Sequence, residues 1–433
     1  MTTRARLSAA AAISLVALAL PGTATAGTRM TVDRSFGGGI VDAGGLPSSV
    51  YRDGRVVTAR AAIDAIALAR RLPDGRLDPS FGSGGVARLP IPVTPVGGEL
   101  VFSATALATT ADGRILVAGS YRVRSPEEES DTGGAPIGAG RPVLAELGPN
   151  GGARWIRVGR ELPEVADREE SITTIALQGG RIILGGTGRQ GFLVRLRADG
   201  RPDPSFGREG TVLVPGPRRP RPSYAGLPGV QEVVTLRGGG IVAVGSRGSR
   251  MMVLRLGPDG ARDARFGGDG MVQVSVLGGH ACPCFSTGEG VAPAGHGRLV
   301  VSGDEYAGRQ AAFLLRLGRD GRLDWGFGRH GVVRAQIHGG TIGGAVTVGA
   351  GGRIFVAGSA SAGRRDAACI TVFAFTPAGS PDRTFFGDGV FNRFVGDLTG
   401  NVAGRQVPTL DRAGRLTVAA GLLLLRLRPV GSR

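Results

Sequence analysis

The sequence predicts an all-β chain that folds as a seven-bladed β-propeller of four-stranded blades, and three observations carry this. Glycine accounts for 77 of the 433 residues, about 18% against a usual ~7%. So many glycines would weaken helix interiors by roughly 1 kcal/mol each relative to alanine. They suit a chain of short strands and tight turns. Hydrophobic residues still reach 42%, enough apolar surface to build a core, which excludes a disordered chain. The absence of a Gly-X-Y period excludes collagen.

The second observation is a recurring string, an apolar run ending in Arg-Leu, a glycine turn, then Asp-x-x-Phe-Gly. It reads ARRLPDGRLDPSFG at 69–82, VRLRADGRPDPSFG at 194–207, LRLGPDGARDARFG at 254–267 and LRLGRDGRLDWGFG at 315–328. A weaker copy is FAFTPAGSPDRTFF at 373–386. The third is a glycine followed by an apolar run, as in GRILVAG at 113–119 and GRIFVAG at 352–358. It occurs seven times, after Gly54, Gly113, Gly180, Gly239, Gly297, Gly352 and Gly414. A glycine kept at one position predicts a turn with positive φ, which glycine adopts without steric cost.

Taken in order, residues 1–26 read as a secretory signal. MTTRAR is a basic start, Leu7 to Leu20 an apolar stretch, and Ala24-Thr25-Ala26 a cleavage site. The expectation is an exported protein cleaved after Ala26, with residues 27–433 forming one propeller domain. Each unit then supplies a first strand such as SATALAT at 103–109 and a second strand on the Gly-Arg run. A third strand ends near Arg-Leu, and a fourth follows Asp-x-x-Phe-Gly. Seven units of about 58 residues fit four-stranded blades with connecting loops.

Charge supports the register. Arg70 and Asp78, Arg195 and Asp203, Arg255 and Asp263, and Arg316 and Asp324 stand at one constant spacing. In the degenerate second unit the pair is Glu146 and Arg154, with the signs exchanged. Opposite charges on facing strands stabilise a hairpin and like charges oppose it. The sixth unit departs, with Ala374 against Asp382. The seventh unit stops after LLLLRLRP at 422–429, and its missing Asp-x-x-Phe-Gly stands alone at 33–37 as DRSFG. The N-terminal segment is therefore expected to complete the last blade, with Arg426 opposite Asp33 and Phe36 buried.

These strings resemble the delta-60 repeat proteins, an uncharacterised bacterial family of propellers akin to NHL-type blades. The resemblance spans nearly all of residues 30–433. It implies the fold and transfers no catalytic residue. The sequence departs from it at RWIRVG, 154–159, and at Phe386, which stands where glycine is usual.

Chemistry is sparser. The net charge is +17, and all 52 basic residues are arginine. That is open to two readings, GC-rich codon usage or a surface for polyanions. The basic loop PGPRRPRPSYAG at 215–226 would present Arg218, Arg219 and Arg221 to an acidic polymer. RVRSPEEESDTGG at 122–134 is its acidic counterpart. No nucleic-acid-binding signature is present. One column of first-strand positions, Leu46, Thr105, Ile172, Gln231, Glu289, Gly344 and Gln406, is expected to line the central channel. It holds too few carboxylates for a calcium cage.

HACPC at 280–284 places His280, Cys282 and Cys284 together, with His338 one unit on in the corresponding loop. Imidazole and thiolate suit zinc or copper. The same cysteines also fit a disulfide from Cys369 to Cys282 or Cys284, or unpaired thiols. His296 and His330 read as ordinary loop residues. The functional expectation is a secreted, monomeric binding or scaffold module for a protein, glycan or acidic surface polymer, with no predicted cofactor. The alternative is an extracellular propeller enzyme of lyase, lactonase or quinoprotein type.

Overall fold

The computed structural model describes residues 28–43, 47–62, 65–93, 99–124, 141–158, 171–188, 190–214, 229–274, 285–306, 310–335, 341–361, 368–394 and 406–431. Within them the chain is antiparallel β-structure with two short 3-10 turns and no α-helix. Among the described residues no helix is long and apolar enough to cross a membrane.

Two short strands open the chain, β1 (Met30–Val32) and β2 (Ile40–Asp42). The first unit is β3 (Ser48–Val50), β4 (Val56–Ala62), β5 (Ala65–Arg71) and β6 (Val86–Pro90). The second is β7 (Glu99–Thr109), β8 (Ile115–Arg124), β9 (Arg141–Leu147) and β10 (Ala153–Val158). The third comprises β11 (Ser171–Gln178), β12 (Arg181–Thr187), β13 (Gly191–Leu196) and β14 (Thr211–Val214). In the fourth are β15 (Gly229–Thr235), β16 (Ile241–Arg247), β17 (Arg250–Leu256) and β18 (Met271–Val274). The fifth holds β19 (Phe285–Pro293), β20 (Leu299–Tyr306), β21 (Gln310–Leu317) and β22 (Val332–Ala335). The sixth has β23 (Thr341–Val348), β24 (Ile354–Ser361), β25 (Ala368–Phe375) and β26 (Val390–Phe394). Three strands end the chain, β27 (Val407–Leu410), β28 (Leu416–Ala420) and β29 (Leu423–Pro429).

Each unit is a four-stranded meander, and the last is completed from the other terminus in the order β1-β29-β28-β27, with β2 also on β29. The third and fourth units are joined by one extra pairing, Thr187 with Gly229. Val32 pairs with Leu427 as Arg262 pairs with Leu256 within the fourth unit. The N-terminal strand thus occupies the register that the repeat dictates. All seven glycines ahead of the second strands have positive φ, between 73° and 90°.

Burial explains the strand sequences. In β13 every residue is buried, because sheets lie on both of its faces. The fourth strands have one face toward solvent, and β6 accordingly alternates Ala87 and Leu89 inward with Arg88 outward. Among the described residues the buried apolar side chains form seven clusters, six of them between consecutive units. The seventh joins Ala419 and Leu424 of the last unit to Val56 of the first, with Phe36 between them.

Candidate functional site

The repeat's polar residues build one device, used again and again. In the first unit Asp78 accepts from the Ser80 N–H at 3.0 Å and the Ser80 hydroxyl at 2.6 Å through Oδ1. Its Oδ2 takes Arg70 Nε at 2.8 Å. The Arg70 guanidinium covers Phe81, 4.7 Å from the ring centre, and its Nη1 donates to the Pro149 carbonyl of the second unit. The Gly82 N–H donates to Asn150 O at 2.8 Å in the same neighbouring turn.

This arrangement recurs with Arg195, Phe206 and the carbonyls of Pro258 and Asp259. It recurs again with Arg316, Phe327 and the carbonyls of Pro377 and Ala378. Asp-x-x-Phe-Gly is therefore a latch onto the next unit. Burial acts to raise the Asp78 and Asp203 carboxyls, but the serine hydroxyl, serine N–H and arginine outweigh it. Both end below the ordinary carboxylate range.

The degenerate units keep the latch by substitution. In the second, Glu146 accepts from Arg154 at 2.9 Å and from Arg114 at 3.0 Å, so the exchanged charges do meet. Trp155 replaces the phenylalanine and lies against Gly200 of the third unit, while Arg157 donates to Asp199 O at 3.1 Å. In the sixth unit the arginine missing at Ala374 is supplied by Arg353 at the head of the second strand. Its Nε is 2.5 Å from Asp382, and it covers both Phe355 and Phe385. Phe386 keeps the left-handed backbone of the glycines it replaces, with φ 51°. Its ring packs on Phe385 and Phe391 at 4.9 and 4.8 Å.

The last unit corrects one expectation. The backbone register of Asp33 and Arg426 is as read, with Asp33 N–H on Arg426 O at 2.9 Å, and Phe36 is fully buried. The two side chains nevertheless form no ion pair. Arg426 is wholly buried. It donates to Thr417 at 3.0 Å, Pro73 O at 2.8 Å and Gly54 O at 2.6 Å. Burial, then the nearby Arg415, pushes it down to about 10. Asp33 instead accepts from the Ser35 hydroxyl at 2.5 Å and has Arg428 at 3.9 Å. The Arg426 guanidinium is thus taken up by the Thr417 hydroxyl and two carbonyls of the first unit.

The first strands pack side by side from the first unit to the seventh. Most carry a bulge, at Thr105, Thr173, Gln231, Glu289 and Gly344. The column therefore runs through Thr173 and not Ile172, which is buried among apolar residues. The hairpin of the third unit is one residue shorter, which shifts the count. The Thr173 hydroxyl donates to Val230 O at 2.5 Å, with Gly185 O at 3.2 Å from the same oxygen. Gln406 is 1% exposed, and neither side-chain amide atom has a partner among the described residues.

At the other end of the fifth unit's second strand stand Asp304 and Glu305, both buried. Glu305 Oε1 is 3.3 Å from Arg334, while Oε2 is buried without a partner among the described residues. Burial raises the Glu305 carboxyl against the lowering effect of Arg334. Cys369 is buried at the start of β25, its thiol pushed up by burial, and it carries no disulfide among the described residues. His280, Cys282, Cys284, His338, Leu46 and the arginines 218, 219 and 221 lie outside the described residues. Among the described residues no three His, Cys, Asp or Glu side chains form a metal-holding group.

Sequence reasoning missed Arg353 as the substitute latch and Glu305 as a buried carboxylate. The Gly-Arg pair ahead of the second strand was the available signal for the first.

One family model agrees with the fold. Residues 180–206 match the family described as a domain of unknown function (DUF5122) beta-propeller. No curated protein matches. Among solved structures, a crystal structure of the mitotic checkpoint complex is 11% identical with a TM-score of 0.48, covering 97% of this chain and 100% of that one. A protein of unknown function from Bacteroides caccae is 11% identical at 0.40, covering 78% and 98%. A PL25 ulvan lyase is 9% identical at 0.44, covering 82% and 84%. No functional statement follows from likenesses this distant.

Proposed function

We propose that this chain is a seven-bladed propeller, closed by its N-terminal strand, that acts after export as a rigid binding module. The observation that carries the reading is the unequal use of the two ends of the strands. At one end the connections between third and fourth strands are committed to the latches, their polar groups bonded within the unit and to the next one. The connections between second and third strands are not fixed by the latches and vary from unit to unit, from two residues between β4 and β5 to 16 between β8 and β9. Recognition commonly resides in long loops carried on a rigid scaffold.

Arg218, Arg219 and Arg221 in the basic loop suit an acidic surface polymer. Replacing all three with serine is expected to weaken retention on an anionic matrix and flatten its salt dependence, with the melting temperature unchanged. Unchanged retention would remove this loop from the binding face. Zinc or copper at His280, Cys282, Cys284 and His338 is a separate proposal resting on sequence spacing. Metal analysis of the purified protein tests it, with stoichiometric metal in its favour and none against.

A further inference from the structure

We propose that Trp325 and His330, on the latch end of the fifth unit, form a stacking subsite for an acidic sugar residue of a polysaccharide. The proposal goes beyond the loop-face reading and concerns the opposite end of the strands. It begins from the repeat itself, which shows what each position of the latch requires for folding alone.

Three positions of this one latch depart from the other units. The residue after the latch aspartate points to solvent and is Arg34, Pro79, Pro204, Ala264 or Arg383 elsewhere, but Trp325 here. The next residue is Ser35, Ser80, Ser205 or Thr384 in four units, each hydroxyl bonded to its aspartate. Here it is Gly326, which has no side chain. Six residues beyond the aspartate, turns of the same backbone course carry Gly84 at φ 60° and Glu209 at φ 52°, and this one, at φ 54°, carries His330.

None of these changes is needed by the latch. Asp324 still takes Arg316 at 2.9 Å, and Phe327 is still fully buried. The changes converge on one another instead. The Trp325 and His330 rings lie 4.9 Å apart, tilted by 46°, and Trp325 is 71% exposed. A solvent-facing indole held by a strained imidazole neighbour gives folding no return, and local rules are broken in this way at binding sites.

The platform is also preorganised. Trp325 sits in a turn fixed by Gly326 N–H to Asp324 at 3.1 Å and Phe327 N–H to Asp324 O at 3.0 Å. His330 sits in the turn closed by Arg329 N–H on Val332 O at 2.8 Å. Binding to such a surface orders little that is not already ordered.

The occupant follows from ring and charge together. A flat indole face accepts the C–H face of a pyranose ring. Within six residues of Trp325 in the chain are Arg319, Arg322 and Arg329, all exposed, with Arg322 only 3.7 Å from Asp320 and thus weakly paired. The other local carboxylate, Asp324, is already neutralised by Arg316 and Arg298. The surroundings repel a cationic ligand and attract an anionic one. A single aromatic platform does not supply the succession of stacking faces that a nucleic acid strand uses. A uronic acid unit meets both conditions, stacking through its ring and pairing through its carboxylate.

The chain has two tryptophans, so a Trp155→Phe background reports Trp325 alone by fluorescence. Oligogalacturonate is titrated, with cellohexaose and oligothymidine as comparison ligands. The expected result is a saturable change in Trp325 emission with oligogalacturonate. By affinity electrophoresis in the otherwise unaltered chain, Trp325→Ala weakens binding about tenfold or more. His330→Gly, which suits the left-handed backbone, weakens it several-fold with the melting temperature unchanged. Binding that survives Trp325→Ala, or no binding at all, overturns the subsite. An equal Trp325-dependent response to cellohexaose or oligothymidine overturns the acidic-sugar assignment.

Discussion

Arg426 lies on the face of Phe36 with its guanidinium carbon 4.0 Å from the ring centre, nearer than in any of the equivalent pairs, which range from 4.7 to 5.9 Å. The arginine comes from the last strand and the phenylalanine from the N-terminal segment. The contact therefore joins the two ends of the chain, and Arg426 reaches on to the carbonyls of the first unit.

Phe36→Ala is expected to cost about 3–5 kcal/mol, the usual penalty for truncating a buried phenylalanine. Asp33→Ala loses hydrogen bonds to a charged acceptor and is expected to cost about 1–3 kcal/mol. Denaturant unfolding measures both. A Phe36→Ala protein as stable as its parent would sink the role of this segment in holding the ends together.

Arg353→Gln leaves Asp382, which is 5% exposed, without a cation. Removing one partner of a buried pair typically costs about 3–5 kcal/mol. Adding Ala374→Arg to that variant restores the arrangement of the other units and is expected to recover part of the loss. A double-mutant cycle with no coupling between the two positions would reject the substitution of one arginine for the other.

Gly238 and Gly260 both have φ of +85°, but only at Gly260 would a Cβ meet a ring, 2.8 Å from Phe206. Gly238→Ala should pay only the left-handed backbone penalty, about 1–2 kcal/mol. Gly260→Ala should cost clearly more. Equal losses on thermal unfolding would show that the turn can move away from the phenylalanine.

Two kinds of carboxylate make opposite contributions with pH. Asp78 and Asp203 are lowered in the folded state, so their stabilisation is full above the unfolded-state value and is lost as pH falls through the folded one. Glu305 is raised, so its contribution is present below the unfolded-state value and is lost as pH rises through the folded one. Glu305→Gln is accordingly expected to stabilise the protein near neutral pH, with the gain vanishing in acid. Melting temperatures across pH 3–8 decide it, and a variant less stable than the parent at pH 7 would show that the charge is needed.

The strand order, the turn glycines and the charge pairs of the regular units were legible from the sequence alone. Each depends on residues close in the chain, where periodicity and hairpin spacing suffice. Arg70 finds Asp78 because a hairpin of constant length sets them side by side, and the exchanged pair Glu146 and Arg154 obeys the same rule. The pairing of 30–32 with 427–429 was legible for a related reason, since a motif missing at one end stood alone at the other. Tertiary packing decided the rest. Whether Arg426 chose Asp33 or the carbonyls of Gly54 and Pro73 depended on how the first unit lies against the last. Arg353 took the place of a missing arginine from a different strand, and the shorter third hairpin moved the bulge from Ile172 to Thr173. Such outcomes rest on competition among donors and acceptors brought together by packing, and one-dimensional spacing does not encode which of them wins.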